Sequence, residues 1–185
     1  MLDDIHNDAK TRMGKSIDAL ENELRRLRTG RASTALVEGI KVPYYGSDMP
    51  LGQVATVTVA DARTLTITPW EKPMVAAVEK AILGSDIGVT PTTAGNVIRL
   101  NLPALTEERR KELAKHVSHE GEQTKIAIRN IRRDAIQNVK ELLKEKEITE
   151  DDQRQAEDQI QKLTDGFVKQ VDQVVKTKED ELMAL

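Results

Sequence analysis

The chain has 185 residues, 38% of them hydrophobic and 32% charged, with a formal net charge of −3 and no cysteine. That length holds one medium domain or two small ones, and the apolar content excludes a disordered chain; the missing cysteine excludes disulfides, thiolate metal sites and a cysteine nucleophile. No apolar run reaches the roughly 18 residues of a membrane span, and the N-terminal MLDDIHNDAK lacks a signal peptide's apolar stretch, so a cytoplasmic protein is expected.

Taken in chain order, Met13, Ile17, Leu20, Leu24 and Leu27 recur at alternating spacings of four and three, which stripes one face of a helix. It is expected to stop at Thr29-Gly30, where glycine can take the left-handed conformation that ends helices. Residues 31–104 read differently, being rich in Val and Thr and holding Pro43, Pro50, Pro69, Pro73 and Pro91. Val57-Thr58-Val59 and Thr64 to Thr68 alternate with period two, and Ala60 to Arg63 read as the hairpin loop between them. Pro73 opens a short helix with Val75, Val78 and Ile82 inward, ending near Gly84, and a last strand puts Ile98, Leu100 and Leu102 on one side. A second long helix starts after Pro103, with Glu107 and Glu108 at the positive end of its dipole and Val117, Ile128, Ile131, Ala135 and Leu142 in one heptad register. If it spans 106–146 it is roughly 60 Å long. A third helix opens at Thr149, an N-cap followed by Glu150, Asp151 and Asp152, with Ala156, Ile160, Leu163, Phe167, Val171 and Val174 as its stripe.

The helical pattern thus breaks at Gly30 and resumes after Pro103. The expected fold class is α+β: a long antiparallel three-helix bundle, residues 1–30 and 105–185, with a small β/α domain, 31–104, inserted into it. The chain crosses between them at Thr29-Gly30-Arg31 and at Leu102-Pro103-Ala104, a two-strand crossing that restrains twisting and permits bending, so Thr29, Gly30, Arg31, Pro103 and Ala104 are hinge candidates.

Charge is unevenly spread. Residues 106–146 carry 11 Lys/Arg against 8 Asp/Glu, whereas 147–185 carry 5 against 11. An acidic chain can therefore still turn one basic face to a polyanion. The most informative cluster is Arg129-Asn130-Ile131-Arg132-Arg133. Helical spacing puts Arg129, Arg132 and Arg133 on one face, with Lys125 a turn earlier, while Ile128, Ile131 and Ala135 mark the buried seam. Arg132 is then expected just off that seam, facing outward. Asp134 is the nearby carboxylate, so these cations lack partners at i±4, and arginine forks suit phosphate. A solvated face with intrahelical pairing remains the plainer alternative. A second basic group, Arg25, Arg26 and Arg28, ends the first helix; it either contacts phosphate or only stabilises the helix C-terminus. No aromatic residue is interleaved with either group, which favours the backbone and shape of a structured RNA over base stacking.

Two other patterns carry little. Gly14-Lys15-Ser16 resembles the end of a phosphate-binding loop, but Ala9 stands where the first glycine belongs and no strand precedes it. His116 and His119 with Glu112 and Glu120 lack a third anchor for a metal, and no nucleophile–base arrangement is visible. No catalytic residue, metal, cofactor or small-molecule substrate is expected.

Leu27-Arg28-Thr29-Gly30-Arg31-Ala32-Ser33, Val42-Pro43-Tyr44-Tyr45-Gly46, Leu105-Thr106-Glu107-Glu108-Arg109-Arg110-Lys111 and Arg129-Asn130-Ile131-Arg132-Arg133-Asp134-Ala135 resemble the corresponding strings of the ribosome recycling factors. The resemblance runs in order from about Ile5 to Leu182. Thr90-Pro91 departs from the family's usual Asn-Pro, and Ala60 and Ala62 flank Asp61 where polar residues are common. The resemblance implies an L-shaped molecule of roughly tRNA size that is not an enzyme. It implies that, with elongation factor G, such a protein releases ribosomes from mRNA by splitting the post-termination complex after termination, drawing on the partner's GTP hydrolysis. It implies contact with large-subunit ribosomal RNA through Arg132, supported by Arg129 and Arg133, then Arg28 and Lys125. A monomer acting in the cytoplasm is expected. The rival reading is a non-enzymatic helical adaptor that binds protein partners through its bundle faces.

Overall fold

Residues 1–27 and 32–184 are described by the computed structural model, and Arg28, Thr29, Gly30 and Arg31 lie outside them. In chain order the elements are α1 (Leu2–Arg25), α2 (Ala35–Glu38), β1 (Lys41–Tyr44), β2 (Ser47–Pro50), β3 (Ala55–Asp61), β4 (Thr64–Pro69), α3 (Val75–Leu83), β5 (Thr92–Ala94), β6 (Val97–Asn101), α4 (Glu107–Lys144) and α5 (Glu150–Met183). The chain divides into two compact units, one of Met1–Leu24 with Lys111–Ala184 and one of Arg25–Arg110.

The first unit is helical. Met13, Ile17, Leu20 and Leu24 are buried along α1, as their spacing requires, and Ala9 extends the stripe. Arg12 of α1 reaches Asp134 of α4, and Leu2 and His6 share a small cavity with Val139. Lys125 of α4 pairs with Asp172 of α5, while Arg132 bonds Gln161. Numbers rise along α4 as they fall along both neighbours, so α4 runs antiparallel to α1 and to α5. On α4 the buried positions are Leu113, Val117, Gly121, Ile128, Ile131, Ala135 and Val139. Leu142 of the expected register is only half-buried, because the helix drifts off a strict heptad and Val139 takes the inward place. The α4–α5 corner is built by its ends. Lys146 sits at φ +60°, Glu147 N–H donates to the Leu142 carbonyl and Lys146 N–H to the Leu143 carbonyl, the bonds of a Schellman cap. Thr149 then caps α5 in a capping box with Asp152.

The second unit holds two antiparallel sheets, β1-β2 and β3-β4-β6-β5. Its core includes Val37, Leu51, Leu65, Ile67, Ile82 and Leu100. The β3–β4 strands run longer than alternation suggested, and the turn tightens to Ala62-Arg63, because the Asp61 carboxylate accepts from the Arg63 N–H at 3.0 Å. That bond, with help from Thr64, holds the Asp61 carboxyl below its ordinary range. The β1–β2 hairpin, which alternation did not mark, turns at Tyr45 and Gly46, with φ of 46° and 85°. Positive φ at both turn residues matches the twist of paired strands. Tyr45 holds that unfavourable conformation beside a carboxylate clamp: the Tyr44 and Tyr45 hydroxyls donate to the two oxygens of Glu71 at 3.1 and 2.9 Å, and their rings meet edge-on at 4.6 Å.

Candidate nucleic-acid interface

The interface begins with the seam of α4. Ile128, Ile131 and Ala135 are buried, which turns Arg129 and Arg133 to solvent. Among the described residues neither arginine has a hydrogen-bond or ion-pair partner. Two unpaired guanidinium groups one helical turn apart are a ready contact for successive phosphates, since each fork can take an oxyanion bidentately.

Arg132 departs from the outward position expected of it. It is half-buried: its Nη1 donates to Gln161 Oε1 of α5 at 2.8 Å, and its Nε is buried with no partner among the described residues. The arginine lies close enough to the seam to fold back against α5, and one helix's sequence does not show what its neighbour places opposite. Gln161 is itself held, its Nε2 donating to Asp165 Oδ1 at 2.8 Å.

Two further cations prove to be paired across helices. The Lys125 ammonium, 16% exposed, bridges Asp172 of α5 and Glu122, and chiefly the Asp172 bond pushes its pKa above the ordinary lysine value. Asp134, which reads as a neighbour of the arginine cluster, instead accepts from Arg12 of α1 at 3.1 Å. Both pairs were illegible because their partners lie far off in sequence. The bare surface is thus Arg129 and Arg133, with Arg132 anchored beside them. Arg25 and Arg26 are exposed at the end of α1. Arg28 lies outside the described residues, as do Thr29, Gly30 and Arg31. Pro103 and Ala104 are exposed and belong to no regular element.

Lys15 lies well inside α1, where the backbone N–H groups already serve the helix. His116 Nε2 lies 3.9 Å from Glu120 Oε1. No helix of the described residues is long and apolar enough to cross a membrane.

Comparison with known proteins points one way. The family described as ribosome recycling factor matches residues 20–183. The ribosome-recycling factor of Thioalkalivibrio sulfidiphilus is 60% identical over 183 residues, covering 99% of each chain. That of Xanthomonas euvesicatoria pv. vesicatoria is 62% identical over 185 residues, covering 100% of each. The solution structure of a ribosome recycling factor aligns with TM-score 0.80 at 41% identity, over 100% of this chain and 98% of that one. A structure of the T. thermophilus ribosome recycling factor and the E. coli elongation factor G bound to the E. coli post-termination complex aligns with TM-score 0.68 at 44% identity, over 98% of each chain.

Proposed function

The chain belongs to the ribosome recycling factor family, and from that premise we propose that it works with elongation factor G to split the post-termination complex and release the ribosome from mRNA. The observation that carries this reading is full-length identity of about 60% with ribosome-recycling factors, joined to a structural relative bound to the post-termination complex. A free-standing helical adaptor has no comparable support.

The protein acts without catalysis of its own: the free energy comes from the partner's GTP cycle, and this chain supplies a shaped, charged body. It works in the cytoplasm as a monomer. Arg132, Arg129 and Arg133 make the principal contact with large-subunit ribosomal RNA. The exposure of Arg129 and Arg133 and their lack of partners among the described residues support this, because such charges contribute little to folding and remain available to phosphate. Arg28 adds to the basic surface. Lys125 is the least of these contributors, since two carboxylates already hold its ammonium. The bundle comprises 1–30 and 105–185, the inserted domain 31–104, and the two bend at Thr29, Gly30, Arg31, Pro103 and Ala104; the division of the chain into two compact units supports a junction near these points.

The deciding experiment is splitting of post-termination ribosomes with and without elongation factor G, using the parent and Arg132→Ala. The parent splits them only with the partner present. Arg132→Ala binds large subunits more weakly than Arg26→Ala does, with a salt slope lower by about one unit, and remains folded by circular dichroism. Its loss of the Gln161 hydrogen bond costs about 1 kcal/mol of stability. If Arg132→Ala binds as the parent does, the RNA contact is misassigned.

A further inference from the structure

We infer that Gln161 is a positioning residue for Arg132, and that its neutrality matters as much as its reach. The inference rests on the reading of Arg132 as an RNA contact. Its starting point is a contrast among the cross-helix cations of the bundle. Arg12 is answered by the carboxylate of Asp134 and Lys125 by that of Asp172. Arg132 is answered by an amide. A carboxylate at position 161 would pair with the guanidinium and compete with a phosphate for the same donors. The amide oxygen fixes the side chain while leaving its full positive charge to the ligand.

The amide is oriented for this task. Gln161 Nε2 donates to Asp165 Oδ1, so Oε1 is the end presented to Arg132. The reversed amide would set N–H against N–H. Arg132 Nε is buried and without a partner, so the guanidinium meets a ligand through its remaining Nη hydrogens. With the Nε edge enclosed and Nη1 tied to α5, the head is held in one orientation before the ligand arrives. A free arginine side chain loses most of its rotamer freedom on binding, and prior anchoring removes that loss from the binding step.

The test uses the full chain and isolated large ribosomal subunits, with affinity measured across a potassium chloride series and melting followed alongside. Gln161→Met keeps length and removes the acceptor; it weakens binding about three- to tenfold, the scale of one side chain that must now be immobilised. Combined with Arg132→Ala it adds less than about twofold, because nothing remains to position. Gln161→Glu weakens binding by about tenfold or more and lowers the salt slope by about one unit, without lowering the melting temperature. Gln159→Glu puts the same charge on another face of α5 and has a smaller effect. A purely structural Gln161 predicts the reverse: binding loss that follows melting and persists in the Arg132→Ala background. Either that persistence, or parental binding by both Gln161 variants while Arg132→Ala is impaired, overturns the inference and spares the RNA reading. Parental binding by Arg132→Ala sinks both.

Discussion

Gly121→Ala would normally strengthen a helix, since alanine favours an α-helical interior over glycine by about 1 kcal/mol. Here it should weaken the bundle. Gly121 is buried in the middle of α4, and a Cβ built on it would lie 2.5 Å from Val175 Cγ2 and 3.7 Å from Val171 Cγ1 of α5. The nearer distance is far inside van der Waals contact. A helical valine has one strongly preferred χ1 rotamer, so Val175 cannot swing away cheaply and the helices must part. Overpacking of this kind costs about 1–3 kcal/mol, which exceeds the propensity gain and leaves a net loss of about 1 kcal/mol. For a chain of this length that lowers the melting temperature by about 2–4 °C, read as helical ellipticity on heating. Val175→Ala introduced into Gly121→Ala should recover the loss by removing the struck methyl groups. The consequence reaches the interface, because the Lys125–Asp172 pair sits one turn away on the same two helices. If Gly121→Ala melts above the parent, the close approach of α4 and α5 is wrong as described.

Two further outcomes follow from local geometry. The chain has only two tyrosines, so phenolate absorbance reports Tyr44 and Tyr45 alone; hydrogen bonding to the Glu71 carboxylate raises both pKa values above the ordinary tyrosine value. The titration should therefore begin above the usual alkaline range and move down in Glu71→Gln; the stabilisation from these bonds is present below the ordinary tyrosine value and is lost as pH rises through the raised one. Lys146 pays for its left-handed place after α4, so Lys146→Gly should stabilise the bundle by about 1 kcal/mol; an unchanged or lower melting temperature would speak against the strained cap.

The long helices were legible because periodicity and end chemistry agree along one strand of chain. Four of α1's five stripe positions are buried in the helix, and Leu27, half-buried, falls just past its end at Arg25. Thr149 with Asp152 forms the cap that its spacing announces. The β3–β4 pair is visible in its alternation, but its turn is shorter than the alternation suggests, because the Asp61 hydrogen bond closes it early. The β1–β2 hairpin was not visible at all. Its strands contain Pro43 and Pro50, and its turn uses Tyr45-Gly46, where tyrosine gives no signal for positive φ. Such a turn is stabilised by a partner 26 residues away, Glu71, which no local rule can supply.

The same limit governs the interface, and there it changes the chemistry. Read along α4 alone, Lys125, Arg129, Arg132 and Arg133 are equivalent cations at helical spacing. The neighbouring helices divide them. Asp172 neutralises Lys125, and Gln161 fixes Arg132 without neutralising it. Arg129 and Arg133 stay exposed. Availability to a phosphate is therefore a property of the residue opposite, and α5 is the most acidic part of the chain. A helix so rich in carboxylates would by default quench a basic neighbour. It does so at Asp172, and at position 161 an amide interrupts the pattern, with Asp165 engaged by that amide. Composition shows a basic α4 beside an acidic α5; only the pairing shows which group of α5 each cation meets, a carboxylate at Lys125 and an amide at Arg132.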